Sequence, residues 1–180
     1  MTRGVRVPVG DDRRPVGRDA ALVAALAAYQ DAVVRSRHLD PVTTELVRLR
    51  CARQHDCRIC QTLRLSDAFD AGADDALTHQ IDFYETSDLT ERQKVARRWV
   101  DAGIWRPTEM SDALVAQAHA LFNDEELAEL LLDITKWSTQ KIHVTLGTDG
   151  ADHLPVNEAG VAYFAFGDDG AVAAMGPSPR

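Results

Sequence analysis

Apolar residues recur at three- and four-residue steps through most of the chain, the mark of amphipathic helices. Leu22, Val23, Leu26, Tyr29, Val33 and Val34 keep this step from Asp19 to about Arg37, and the alanines between them favour helix intrinsically. Asp40-Pro41 predicts an N-cap followed by a first helical position. That second helix runs to about Arg53, with Leu46, Leu49 and Arg53 on one face and Ala52 beside it. Glu45 falls in its first two turns, where a carboxylate suits the positive helix end. Gln54-His55-Asp56 breaks the pattern. Asp56 is placed to cap a third helix that starts at Cys57, carries Leu63, Ala68 and Phe69 on its apolar side, and stops at Gly72. Asp74 to about Phe83 reads as a short helix. Thr90-Glu91-Arg92-Gln93 has capping-box form and opens a helix with Val95, Trp99 and Val100 that stops at Gly103. Beyond Pro107 the next helix covers about Glu109 to Phe122. Asn123-Asp124-Glu125-Glu126, a second capping box, opens the longest helix, with Leu127, Leu130, Leu131, Ile134, Trp137 and Ile142, ending at Gly147.

The two ends differ from this body. Residues 1–18 mix Pro, Gly, Arg and Asp without a period and read as an extended arm. Residues 148–160 are turn-rich. Val161 to Phe166 and Ala171 to Met175 flank Gly167-Asp168-Asp169-Gly170, which predicts a hairpin or a loose tail. The aromatic Tyr163, Phe164 and Phe166 there are expected to dock on a neighbouring subunit. The organisation is thus an arm at 1–18, a helical domain at 19–147 and an extension at 148–180. The fold class is all-α, with six or seven helices.

Composition narrows the function classes. A hydrophobic fraction of 45% supports a real core. The net charge of −8 and pI near 5.2 argue against a nucleic-acid partner bound through a broad basic surface. No apolar run approaches the roughly 18 residues of a membrane span. The N-terminus lacks an apolar signal-like region, so the expected compartment is the cytoplasm. Three cysteines have the wrong parity for a secreted disulfide framework, and a tight cytosolic pair is more often catalytic or metal-binding.

Candidate chemistry is concentrated between Glu45 and Arg64, which hold all three cysteines and a Cys57-x-x-Cys60 pair. On a helix beginning at Cys57 the two thiols share one face, close enough to bridge. A helix N-terminus lowers a thiol pKa, and the thiolate is the reactive species. Arg58 adds positive potential, and Arg64, four residues past Cys60, can lie over the same face. Three readings stand side by side. Cys57 and Cys60 form a redox dithiol, reachable by a small oxidant. Or Cys51, His55, Cys57 and Cys60 hold zinc, although Cys51 belongs inside a helix and no second Cys/His knuckle exists. Or the thiols are inert core residues, the simplest account of Cys51. Trp99, Trp105 and Trp137 read as core or interface. The remaining histidines, His38, His79, His119, His143 and His153, are scattered and carry no assignment.

Glu45, eleven residues, then Cys57-x-x-Cys60 resembles the active-site signature of the alkylhydroperoxidase D-like proteins of the carboxymuconolactone decarboxylase superfamily. Leu89-Thr90-Glu91-Arg92-Gln93, Ser111-Asp112-Ala113-Leu114 and Phe122-Asn123-Asp124-Glu125-Glu126-Leu127 followed by Trp137 resemble the later helices in order, so the likeness covers residues 20–147. The resemblance implies an alkylhydroperoxidase D-like helical bundle that assembles as a trimer or hexamer and needs no cofactor. It implies that Cys60 attacks a hydroperoxide or disulfide substrate, that Cys57 resolves the product, and that Glu45 accepts a proton. A thioredoxin-like or dithiol reductant restores the thiols. A non-catalytic redox sensor on the same scaffold is the alternative. The chain departs from the signature at three places: Arg64 replaces the histidine four after the second cysteine, Ile59 the histidine just before it, and His55-Asp56 the usual Asn-Gly. Arginine cannot shuttle protons near neutral pH, so either His55 takes over the relay, or Glu45 works with solvent, or peroxidase turnover is poor. Lactone decarboxylation, whose enzymes do not work through a cysteine pair, is disfavoured.

Overall fold

The computed structural model describes residues 6–148 and 154–179. The first five residues of the expected arm, His153 and part of the turn-rich stretch lie outside the described residues. Among the described residues there are eight α-helices and one small sheet. Local capping sets most helix starts. Asp19 accepts hydrogen bonds from Ala21 N and Leu22 N at the head of α1 (Ala20–Val34), and Asp40 accepts from Thr43 N ahead of α2 (Pro41–Gln54). Both capping boxes form, at α6 (Glu91–Trp105) and α8 (Asp124–Leu146). Gly147 closes α8 in the left-handed conformation, with φ 71°.

Helix α2 is the centre of the molecule. Val47 and Cys51 pack with Val95, Val100, Leu130 and Trp137 of α6 and α8. Leu46 and Leu49 face Ile81, Tyr84 and Leu89 on another side, and Ala52 meets Cys57, Cys60 and Val144 on a third. An element enclosed this way buries its polar side chains too, and Glu45 and Arg48 are each only 1% exposed.

Four boundaries differ from the sequence expectation. The third helix is the largest change. Asp56 has a positive φ of 47° and does not cap it. Cys57 is the N-cap, and α3 (Arg58–Thr62) has five residues. The chain then extends as β1 (Leu63–Leu65) before α4 (Ser66–Asp70) and α5 (Asp75–Thr78). It extends because β1 pairs in parallel with β2 (Ala162–Phe166), Arg64 opposite Tyr163, a partner far away in sequence. Helix α6 passes Gly103 and ends at Trp105, since Pro107 is the first residue that bars helix. Pro107–Glu109 forms a 3-10 turn, so α7 (Asp112–Leu121) starts after its expected beginning near Glu109, capped by Ser111. The N-terminal arm doubles back, with Val16 N donating to Pro8 O at 2.9 Å, because its Gly and Asp residues favour a turn.

The extension is a hairpin. Strand β3 (Val172–Gly176) pairs antiparallel with β2, giving the order β1-β2-β3. Its rings pack on their own chain: Tyr163 meets Phe69 edge-on at 5.2 Å, and Phe166 lies 6.3 Å from Trp137. The hairpin turn presses against α1, where Arg35 Nη1 donates to Asp169 O at 3.0 Å. Gly170 has φ +81°, and an added Cβ would come within 2.7 Å of Asp31 Cα. The backbone conformation alone makes Gly170→Ala cost about 1–3 kcal/mol, and the overlap adds to that. Chemical denaturation of this variant is expected to show at least that loss. Wild-type stability would mean the hairpin is not held against α1.

Candidate functional site

Cys57 and Cys60 are joined as a disulfide across the single turn of α3, with Cα atoms 5.2 Å apart. Cys57 Sγ accepts a hydrogen bond from Cys60 N at 3.4 Å. Each cysteine is almost wholly buried, 1% and 3% exposed, so the expected open access to a small oxidant is not seen. Ala52 and Val144 cover the pair. The one-turn helix also falls short of the extended N-terminus that the sequence promised as an anion-stabilising end.

Beneath the disulfide lies an ion pair. Glu45 and Arg48 meet as a two-bond fork, Nε to Oε2 at 2.6 Å and Nη2 to Oε1 at 2.7 Å. Arg48 Nη1 donates to Cys60 O at 3.2 Å and Nη2 to Leu63 O at 2.5 Å. Leu65 N in turn donates to Glu45 Oε1 at 3.3 Å. The pair thus holds the backbone on the C-terminal side of the second cysteine. The guanidinium also stacks 5.4 Å from the Phe164 ring, so β2 roofs the pair. Sequence reasoning found Glu45 and missed Arg48. The available signal was their spacing of three on one helix, which puts the two charges side by side.

No protein-family model matches the chain. Two uncharacterized proteins from two strains of Mycobacterium tuberculosis are each 40% identical to it over 148 residues. The match takes in 82% of this chain and 51% of theirs, so the chain spans about half the length of the curated relatives it matches. Among solved structures, a protein of unknown function from Agrobacterium tumefaciens, proposed to be the antioxidant defence protein AhpD, superposes with a TM-score of 0.62. The superposition covers 75% of this chain and 94% of that one at 20% identity. The chain has an AhpD-like fold.

Within the AhpD-like frame the other expected site residues take separate places. His55 caps the end of α2, its carbonyl accepting from Thr145 Oγ1 at 3.3 Å. Its Nε2 is buried without a hydrogen-bond partner. Burial and the charge of Lys141 hold its pKa below the ordinary value, so the ring is neutral at physiological pH. Arg64 is held by partners other than the cysteines. The strand turns it towards α5, where Nε pairs with Asp75 Oδ1 at 3.5 Å, and Nη1 donates to Gln61 O and Leu63 O. The zinc reading gains no support from the placement of its residues. Cys51 lies in a different core cluster from the pair, and among the described residues no three His, Cys, Asp or Glu side chains are grouped for a metal.

The AhpD-like core also holds charges that sequence reasoning missed. Asp133, Lys136 and Lys141 on α8 are 2%, 2% and 1% exposed. Lys136 Nζ lies 3.1 Å from the Trp137 ring centre and donates to Gln140 Oε1 at 3.1 Å. A cavity of about 60 Å³ opens beside Asp133 between α1, α2 and β2, and no cysteine lines it. Asp133 Oδ2 has no hydrogen-bond partner. Burial, then Glu129, pushes the Asp133 pKa up from 3.8 to about 8. A raised folded-state pKa means the folded chain keeps a proton that the unfolded chain releases. This contribution is full below about pH 4 and is lost as pH rises towards 8. Asp133→Asn should therefore match wild type in stability near pH 4 and exceed it by a margin that widens up to about pH 8. Denaturation across that range checks this, and a margin independent of pH contradicts it.

Proposed function

We propose that the protein belongs to the alkylhydroperoxidase D-like branch of the carboxymuconolactone decarboxylase superfamily and is a dithiol oxidoreductase. It reduces hydroperoxides, or exchanges disulfides, by cycling Cys57 and Cys60 between thiol and disulfide. The observation that carries this reading is the bridged Cys57–Cys60 pair whose second cysteine is held through its carbonyl by the buried Glu45–Arg48 fork.

The chemistry follows from the placement. A Cys60 thiolate attacks the distal peroxide oxygen. The O–O bond breaks, Cys60 becomes a sulfenic acid, and the alkoxide leaves as the alcohol after taking back, through solvent, the proton that Cys60 gave up. The Cys57 thiol then attacks that sulfur, water leaves, and the disulfide forms. Arg48 places a fixed positive charge beside Cys60, which favours the thiolate. Glu45, already neutralised by Arg48, positions the guanidinium and serves as proton acceptor only through solvent or a shift of the fork. An external dithiol or thioredoxin-like reductant returns two electrons. The reading places the protein in the cytoplasm as a homo-oligomer, a trimer or hexamer, without nucleic-acid or membrane partners. Among the described residues no helix is long and apolar enough to cross a membrane.

Burial of both sulfurs favours a second reading, a redox sensor that is oxidised once and signals through a partner. Peroxide consumption with excess dithiol separates the two. The enzyme reading expects many peroxides consumed per chain. One per chain, followed by arrest in the disulfide state, supports the sensor and contradicts the enzyme.

A further inference from the structure

Two of the chain's three lysines are buried on α8, and the thiol–disulfide cycle as written gives neither a task. Lys141 is the one that lies within a turn of the part of α8 packed on the dithiol. Val144, three residues on and therefore on the same face of the helix, packs against Cys57 and Cys60. Thr145, the next residue, binds the His55 carbonyl ahead of the cysteines. Lys141 Nζ rests 4.5 Å from the Trp137 ring centre. Among the described residues it enters no ion pair, although both Glu45 and Asp133 are near enough to act on it. The charged and titratable groups around it are Arg48, Glu45 and the Cys51 thiol of α2, with Asp133 and Lys136 of α8. His55 faces it from the turn after α2, and α3 supplies the two cysteines.

A buried ammonium without a counter-charge is costly. Here the fixed charge of Arg48 lies close by, burial and neighbouring cations hold the Lys136 pKa well below its ordinary value, and the carboxylate of Glu45 is spent on Arg48. The missing anion is what disulfide reduction creates. Neither Arg48 nor Arg64 can take up a proton near neutral pH, and Cys51, pushed up to about 12 by burial, stays a thiol.

We infer that Lys141 takes up a proton when the Cys57–Cys60 disulfide is reduced and becomes the counter-ion of the thiolate formed there. The inference rests on the dithiol reading and deepens it. Lys141 acts on the sulfurs through charge and not by contact, as a positioning residue. The step balances. An external dithiol gives up two electrons and two protons and leaves as a disulfide. The electrons break the Cys57–Cys60 bond. One proton ends on a protein sulfur and the other on Lys141, leaving one thiol, one thiolate and one ammonium. In the disulfide state burial, then Arg48, holds the Lys141 pKa down to about 7, so the amine is ready to accept. The thiolate, once formed, draws that pKa upward.

Lysine is scarce enough to observe directly. Carbon-13 labelling of the lysine side chains gives one signal each for Lys94, Lys136 and Lys141, titrated with the protein oxidised and then reduced. The expected result is a Lys141 midpoint near neutrality in the disulfide state that rises by more than about one pH unit on reduction, the scale of a close opposite charge. Lys141→Met assigns the signal and should raise the pH midpoint of thiolate ultraviolet absorbance by about one unit, a tenfold loss of thiolate below it. Lys141→Arg, which keeps the charge, should restore the low midpoint. If Lys141→Met does not fold, Lys94→Arg and Lys136→Arg complete the assignment and the wild-type comparison decides alone. An unchanged Lys141 midpoint in both states overturns the inference while leaving the dithiol reading intact. A disulfide that cannot be cycled at all overturns the dithiol reading first.

Discussion

Cys60→Ser is expected to abolish hydroperoxide turnover, a loss of at least roughly a hundredfold, because it removes the nucleophile of a covalent cycle. Cys57→Ser should lose multiple turnover as fully but by a different route. Its Cys60 thiolate can still attack once, so the variant should accumulate a sulfenic acid that dimedone traps. Serine is close to cysteine in size, and each site is enclosed by Ala52 and Val144, so both variants should fold. Serine cannot bridge, however, and circular dichroism of each variant separates lost chemistry from lost structure. Equal dimedone labelling of both variants would reverse the roles of the two cysteines. Full peroxidase rate in both would remove the dithiol from the mechanism.

The second large effect falls on Arg48. Its guanidinium satisfies both Glu45 oxygens and the carbonyls of Cys60 and Leu63. Arg48→Met leaves a carboxylate 1% exposed with no cation in the fork, and breaking such a pair from one side costs about 3–5 kcal/mol. Arg48→Lys is not a rescue, since an ammonium cannot span both carboxylate oxygens and two carbonyls. The double variant Glu45→Gln, Arg48→Met removes both charges together and should recover most of the loss, leaving unpaired carbonyls at Cys60 and Leu63. A double variant no more stable than Arg48→Met would mean that the fork holds the chain by hydrogen bonds to the backbone and not by charge neutralisation. Both variants should slow disulfide formation, because the same arginine fixes the backbone between Cys60 and β1.

Most helix starts were readable because capping is local: Asp19, Asp40, Thr90 and Asn123 each bind backbone within a few residues of themselves. That Glu45 belongs with the segment around Cys60 was implied by the family resemblance and not by periodicity. What the sequence hid depends on partners remote in the chain. Leu63 to Leu65 are too short for their alternation to read as a strand, and their pairing partner, β2, lies about a hundred residues on. That one pairing goes with an α3 of a single turn and an Arg64 paired with Asp75. The burial of Arg48, Asp133, Lys136 and Lys141 was equally hidden. Charged residues between apolar ones read as a solvated face until α2 proves to be enclosed on three sides. The contacts of the aromatic extension with Phe69, Arg48 and Trp137 of its own chain were hidden in the same way.

The most direct test is to reduce the protein, add one equivalent of hydroperoxide and weigh the product. A redox dithiol predicts a loss of two hydrogen masses and a peptide map in which Cys57 and Cys60 are linked and Cys51 is free. A stable gain of one or more oxygen atoms, or no change in mass with the peroxide left unconsumed, contradicts it.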